Sequence, residues 1–108
     1  MFIGTVRATD HERAVSSLHY EAHPSAVAEL ERVCAAIAEE YDVIAVAAEH
    51  RVDTLTLGDL AVVVAVGAEH RVDAMTATHA LIDRIKAEVP IWKHQRFTDG
   101  TDEWVGCS

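Results

Sequence analysis

Residues 60–66, LAVVVAV, are apolar without a break and rich in β-branched side chains, the pattern of a short buried strand. Gly58-Asp59 turns the chain just before this run, and Leu55 and Leu57 alternate with threonines on the other side of the turn. Residues 43–48, VIAVAA, read as another strand. Around these strands the apolar period switches to that of a helix. Pro24 is placed to open one, where its missing N–H costs nothing. Val27, Leu30, Val33, Cys34, Ile37 and Tyr41 then follow a 3.6-residue stripe, with Glu29, Glu31, Glu39 and Glu40 off it on the solvated side. A second helix is predicted over 72–88, with Asp73 near its start and Met75, Thr78, Ile82, Ile85 and Val89 as its core stripe; Pro90 stops it. Residues 1–7 read as the tail of a strand that begins abruptly, residues 8–14 as a mobile polar loop, and residues 15–23 as a strand with His19, Glu21 and His23 on one face. Residues 91–108 carry Trp92, Phe97 and Trp104 around an Asp99-Gly100 turn. Strands and two helices in one short chain make an α+β fold.

A length of 108 residues fits one domain, 1–108, with one modest core. Half the residues are apolar but only 6% are aromatic, so that core must be built from Val, Ala, Leu and Ile. Domains of this size often gain stability by pairing with another chain. The net charge of -9 argues against nucleic acid or an anionic membrane as partner, since both want a basic face. Positive charge is scarce, and its placement is informative. The chain's two lysines, Lys86 and Lys93, lie in one short stretch, and several arginines sit at element boundaries, where a cation can serve an anionic ligand. Cys34 and Cys107 form neither a CxxC nor a metal-ligand spacing, which fits a reduced, cytoplasmic setting. No apolar run approaches a bilayer span, and the N-terminus lacks the layout of a signal peptide.

The pentapeptide EHRVD occurs at 49–53 and again at 69–73, each time after an apolar strand. The second copy leads into a helix, so His70-Arg71 stands where free backbone N–H groups and the positive end of the helix dipole favour a phosphate, and arginine adds a planar fork. The alternative is Arg71 paired to a carboxylate and His70 at the surface. The first copy, His50-Arg51, leads into a strand and reads better as an ion pair at a sheet or subunit boundary. Lys86 follows Ile85 at the edge of the apolar stripe, where partial desolvation makes a lysine a usable acid, base or nucleophile. Its structural alternative is a snorkelling side chain paired with Asp83 or Glu88. Residues 90–93, PIWK, form a corner that is either a pocket wall with a cationic tip or a hydrophobic plug with an exposed lysine. Arg7 follows the first strand and says little alone. His19 and His23 lack a third ligand, so no metal is expected. Neither a Gly-rich phosphate loop nor a nucleophile elbow is present.

Taken in order, FIGTVR at 2–7, LHYEAH at 18–23, EHRVDTLTLGD at 49–59, VVVAVGAEHR at 62–71, IDRIKAEVPIWK at 82–93, DG at 99–100 and WV at 104–105 resemble the large subunit of molybdopterin synthase over nearly the whole chain. The resemblance implies an α/β hammerhead-type domain with largely antiparallel sheet and two main helices. It implies a central homodimer of a heterotetramer, in which a ubiquitin-like small subunit inserts a C-terminal Gly-Gly tail ending in a thiocarboxylate. The implied reaction in molybdenum cofactor biosynthesis moves that sulfur onto cyclic pyranopterin monophosphate, forming the dithiolene of molybdopterin, with no resident cofactor. Carried onto this chain, Lys86 and Lys93 match the catalytic lysines, and Arg7, His70 and Arg71 match residues lining the anionic substrate pocket. The chain departs from the family in three ways. It starts inside the family's first strand, without the usual N-terminal segment. His94 and Gln95 follow Lys93 where the family often reads WKxE. The family's tail often runs on past WV with basic residues. A second reading is a non-catalytic docking protein for a ubiquitin-like sulfur carrier.

Overall fold

The computed structural model describes residues 1–10 and 13–105. Among them the elements run β1 (Phe2–Thr5), β2 (Thr9–Asp10), β3 (Arg13–Ala22), α1 (Ala26–Glu40), β4 (Ala45–His50), β5 (Asp53–Leu55), β6 (Leu60–Gly67), α2 (Arg71–Glu88), β7 (Ile91–Phe97) and β8 (Asp102–Val105). The predicted α+β class holds. The polar stretch 8–14 is not simply a loop: Thr9 and Asp10 pair with Ala14 and Arg13, which extends β3 toward the N-terminus, while the tip of that stretch and Cys107 lie outside the described residues. Pro24 precedes rather than begins α1, whose N-cap is Ser25.

All strand pairings are antiparallel and fall into two sheets. The first has the order β1-β6-β4, and the second the order β2-β3-β7-β8, with β5 added to β3. Strand β1 approaches β6 so closely that a Cβ on Gly4 would sit 2.7 Å from Val62 Cγ1, next to an irregularity in the register between Gly4 and Thr5. A side chain there would force Val62 to shift. Gly58 supplies the positive φ of +84° that the turn into β6 requires.

Strand β6 is buried on both faces, which is why its sequence is continuously apolar. Val64 faces the helices and joins Val33 and Ile37 of α1 and Ala77, Leu81 and Ile85 of α2 in the main core. Ala61 faces the other sheet and packs with Val6, Leu18 and Leu55 in a second, smaller core. The stripe predicted for α2 is displaced. Ile85 and Val89 are buried as expected, but the fully buried positions ahead of them are Ala77 and Leu81, while Met75 is 72% exposed. Likewise Ala26 is buried in α1 and Val27 is exposed.

The two helices are also clasped by charge. Arg32 on α1 reaches Glu88 on α2 at 3.1 Å, and Arg84 on α2 reaches Glu40 on α1 at 3.0 Å and Glu88 at 2.9 Å. Glu29 joins through Arg32, so two of the glutamates expected simply to be solvated are paired. Hydrogen bonds from Arg84 and Arg32 hold the Glu88 carboxyl below the usual carboxylate range.

The two EHRVD copies part at their aspartates. Asp53 takes a positive φ of +71° at the start of β5, whereas Asp73 lies in the first turn of α2. Aspartate is among the few residues that adopt the former conformation readily, so one local sequence serves two outcomes.

Candidate functional site

A cavity of about 460 Å³ opens where the end of α2, strands β1 and β6, and the inner face of the second sheet meet. That volume lies in the range of small-molecule sites. Each wall follows from a periodicity. On β3 and β7, Tyr20 lies directly across from Lys93 and Leu18 from Gln95, and the two-residue period points all four toward the first sheet. On α2, Ile82, Ile85, Lys86 and Val89 line the cavity, the spacing of one helix face. Arg7 enters from the segment after β1, and His50 from the end of β4.

Three of the five residues expected at a site therefore come together: Arg7, Lys86 and Lys93. His70 and Arg71 do not join them. They stand at the N-cap and first residue of α2, and Lys86 lies fifteen residues farther along the same helix, roughly 22 Å away at 1.5 Å per residue. At that far end His70 makes no side-chain cap hydrogen bond. Trp92 faces away from the cavity, between the inward Ile91 and Lys93 of the predicted corner, so that corner contributes one cationic tip and one apolar wall.

The cations of the cavity are available to a ligand. Glu88, one partner considered for Lys86, is occupied by Arg32 and Arg84, and Asp83, the other, by His79 at 3.3 Å. Neither Lys86 nor Lys93 has an ion-pair partner among the described residues. Lys86 is exposed at the cavity's edge, so the desolvation expected of it is not supplied by this chain alone. Arg7 approaches Asp10 at 3.5 Å, and its side chain stays 75% exposed. In a chain of net charge -9, a cavity with three cations against one carboxylate is a local reversal of sign suited to an anion.

Sequence reasoning missed three polar groups of the wall. Gln95 is 3% exposed, and its amide nitrogen donates to Asp10 Oδ2 at 2.6 Å and to Glu103 Oε1 at 2.9 Å. Tyr20 is half-buried, and its ring stands edge-on to that of His50, with centroids 4.6 Å apart and planes at 85°. Burial pushes the Tyr20 phenol above its ordinary value. His50 Nδ1 lies 2.5 Å from the Arg51 carbonyl oxygen, which can only accept, so Nδ1 carries the proton. Burial holds the His50 imidazole below its ordinary value despite that bond. The boundary ion pair expected of His50-Arg51 is not formed among the described residues; the Arg51 guanidinium acts on Asp59 only at a distance. The alternation of Leu18 with Tyr20, and of Lys93 with Gln95, was the one signal that would have found the inward Tyr20 and Gln95. His19 and His23 lie elsewhere, bonded to Thr54 Oγ1 at 3.0 Å and Ser25 Oγ at 2.8 Å.

A family model described as "MoaE protein" matches residues 1–88. The molybdopterin synthase catalytic subunit of Bacillus subtilis is 42% identical over 106 residues, covering 97% of this chain and 67% of that protein. Among solved structures, molybdopterin synthase from Staphylococcus aureus superposes with a TM-score of 0.88 at 36% identity, covering 97% of this chain and 77% of that one. A complex of subunits 1 and 2 of molybdopterin-converting factor from Helicobacter pylori shares the fold, with a TM-score of 0.70 at 18% identity over 99% of this chain and 68% of the other. None of the described helices is long and apolar enough to cross a membrane.

Proposed function

Because the chain belongs to the MoaE family, the catalytic subunits of molybdopterin synthase in molybdenum cofactor biosynthesis, we propose that its cavity is where sulfur reaches a phosphorylated pterin. The donor is the C-terminal thiocarboxylate of a ubiquitin-like small subunit, and the acceptor is cyclic pyranopterin monophosphate. The single observation that carries the reading is the convergence of Arg7, Lys86 and Lys93 on one cavity of small-molecule size.

The chemistry follows from those groups. Arg7 offers a planar fork to phosphate oxygens, and the lysines offer mobile ammonium charges. The thiocarboxylate sulfur attacks a side-chain carbon of the pterin and displaces the oxygen bound to it, and water then cleaves the acyl–sulfur bond, leaving sulfur on the pterin and a carboxylate on the small subunit. Two such rounds give the dithiolene. Lys86 donates or accepts the proton as oxygen leaves, or acts transiently as an amine nucleophile, and Lys93 steadies the anion across the cavity. Lys86 is exposed in the single chain, so the inserted tail of the small subunit is what excludes water from it. That tail is gripped in extended form.

His70 and Arg71 bind the same substrate only if a second copy of the chain brings its α2 N-terminus to the cavity, which matches a central homodimer within a heterotetramer. The setting is cytoplasmic, with Cys34 a free thiol. The test is a single-turnover reaction of this chain with thiocarboxylated small subunit and cyclic pyranopterin monophosphate. Dithiolene product is the expected result. A bound small subunit without product would replace this reading with that of a docking protein.

A further inference from the structure

The cations account for the phosphate but for nothing that would recognise a heterocycle. The same cavity holds two neutral polar groups that the mechanism above leaves idle, Tyr20 and His50. Resting on the reading that the cavity takes a phosphorylated pterin, we propose that Tyr20 and His50 form a hydrogen-bonding pair that reads the amide edge of the pterin ring and so decides which phosphate ester is accepted.

The geometry supplies a matched donor and acceptor. The Arg51 carbonyl fixes the proton of His50 on Nδ1, which leaves Nε2 with a free lone pair. The edge-on contact holds the two rings in register, so neither turns without displacing the other. Tyr20 Oη and His50 Nε2 have no hydrogen-bond partner within the described residues, yet no buried side-chain nitrogen or oxygen there lacks one. Both atoms are therefore accessible rather than sealed in the wall. Burial keeps the phenol protonated and the imidazole neutral at neutral pH. A phenolic O–H and an imidazole lone pair on residues that line one cavity offer one donor and one acceptor, the complement of the ring C=O and N–H at the lactam edge of a pterin. A site that hydrogen-bonds such an edge rejects ligands lacking it, because its own polar groups would be left unpaired.

Tyr20 lies across the strand pair from Lys93, so the neutral pair and the cations adjoin. A ligand with a phosphate at one end and a lactam at the other spans them without either group being desolvated unpaired.

The test uses Tyr20→Phe, which keeps the ring, and His50→Asn, whose amide nitrogen can still donate to the Arg51 carbonyl while the Nε2 position is lost. Binding of cyclic pyranopterin monophosphate and of inorganic phosphate is measured calorimetrically for both variants, the parent chain and Arg7→Ala, with thermal melts to verify folding. Each of the first two variants is expected to bind the pterin phosphate roughly three- to tenfold more weakly, with inorganic phosphate unaffected. Unchanged affinity for the pterin phosphate, or an equal loss for both ligands, overturns the proposal. Arg7→Ala separates the two levels. If it loses both ligands while the pair variants lose neither, the cavity is the site and the pair plays no part in it; if it binds both like the parent, the reading of the cavity itself fails.

Discussion

The amide of Gln95 stands between two carboxylates, 2.6 Å from Asp10 Oδ2 and 2.9 Å from Glu103 Oε1, and is itself almost wholly buried. One nitrogen with two hydrogens thus ties β2 and β8 to β7 and gives two neighbouring acids a shared donor. Gln95→Leu removes both donors and is expected to cost about 1–3 kcal/mol of unfolding free energy. Gln95→Glu places a third acid in the same spot, so it is expected to be destabilised at neutral pH and to recover as acidification protonates the cluster. Denaturant titrations at two pH values check both, and a Gln95→Glu variant with a parental pH profile would count against the bridge.

Lys86 is exposed and has no ion-pair partner among the described residues, so Lys86→Ala should leave stability within about 0.5 kcal/mol of the parent. Product formation, by contrast, should fall by roughly two to four orders of magnitude, the range for loss of a proton-transfer group. Single-turnover kinetics beside a thermal melt read both quantities. Parental turnover would remove Lys86 from the mechanism.

The imidazole of His50 makes stability depend on pH in a definite direction. Its folded value lies below the ordinary 6.5, so between the two values only the unfolded chain binds the proton. The stabilising contribution is complete above about 6.5 and is lost as pH falls through the folded value. Tyr20, the ring against it, titrates far above this window. Unfolding midpoints taken from pH 7.5 to 5 should fall more steeply for the parent than for His50→Asn, and parallel curves would refute the assignment.

The displaced stripe of α2 is testable by two truncations. Leu81→Ala, at a fully buried position, should cost about 2–5 kcal/mol, whereas Met75→Ala, at a position 72% exposed, should cost less than about 0.5 kcal/mol. Equal costs measured in the monomeric chain would show that the helix is turned differently.

That displacement also shows where reading residues in order reaches its limit. The strands around Gly58-Asp59 were legible because β-branched runs and a turn leave few alternatives, and the extent of α2 was legible because Pro90 ends it. Its inward face was not. Val72 and Met75 are large and apolar but exposed, while the buried Ala77 is small, so size and hydropathy voted for the wrong side. The same inversion set Val27 above Ala26. At the site, Arg7, Lys86 and Lys93 were visible as rare cations with a matching motif around them. Tyr20 and Gln95 were not, since only the pairing of β3 with β7 makes them neighbours of Lys93. His50 carried the same flanking residues as His70, yet the fold sends the first copy into the cavity and the second to the far end of a helix.

Both lysines of the chain border one cavity, and this has a practical corollary. Every lysine amine of these 108 residues that an acylating reagent can find borders that cavity. The extent of labelling, read by mass spectrometry, therefore doubles as an occupancy gauge: whatever fills the cavity shields Lys86 and Lys93 together, and whatever docks elsewhere leaves both open to the reagent.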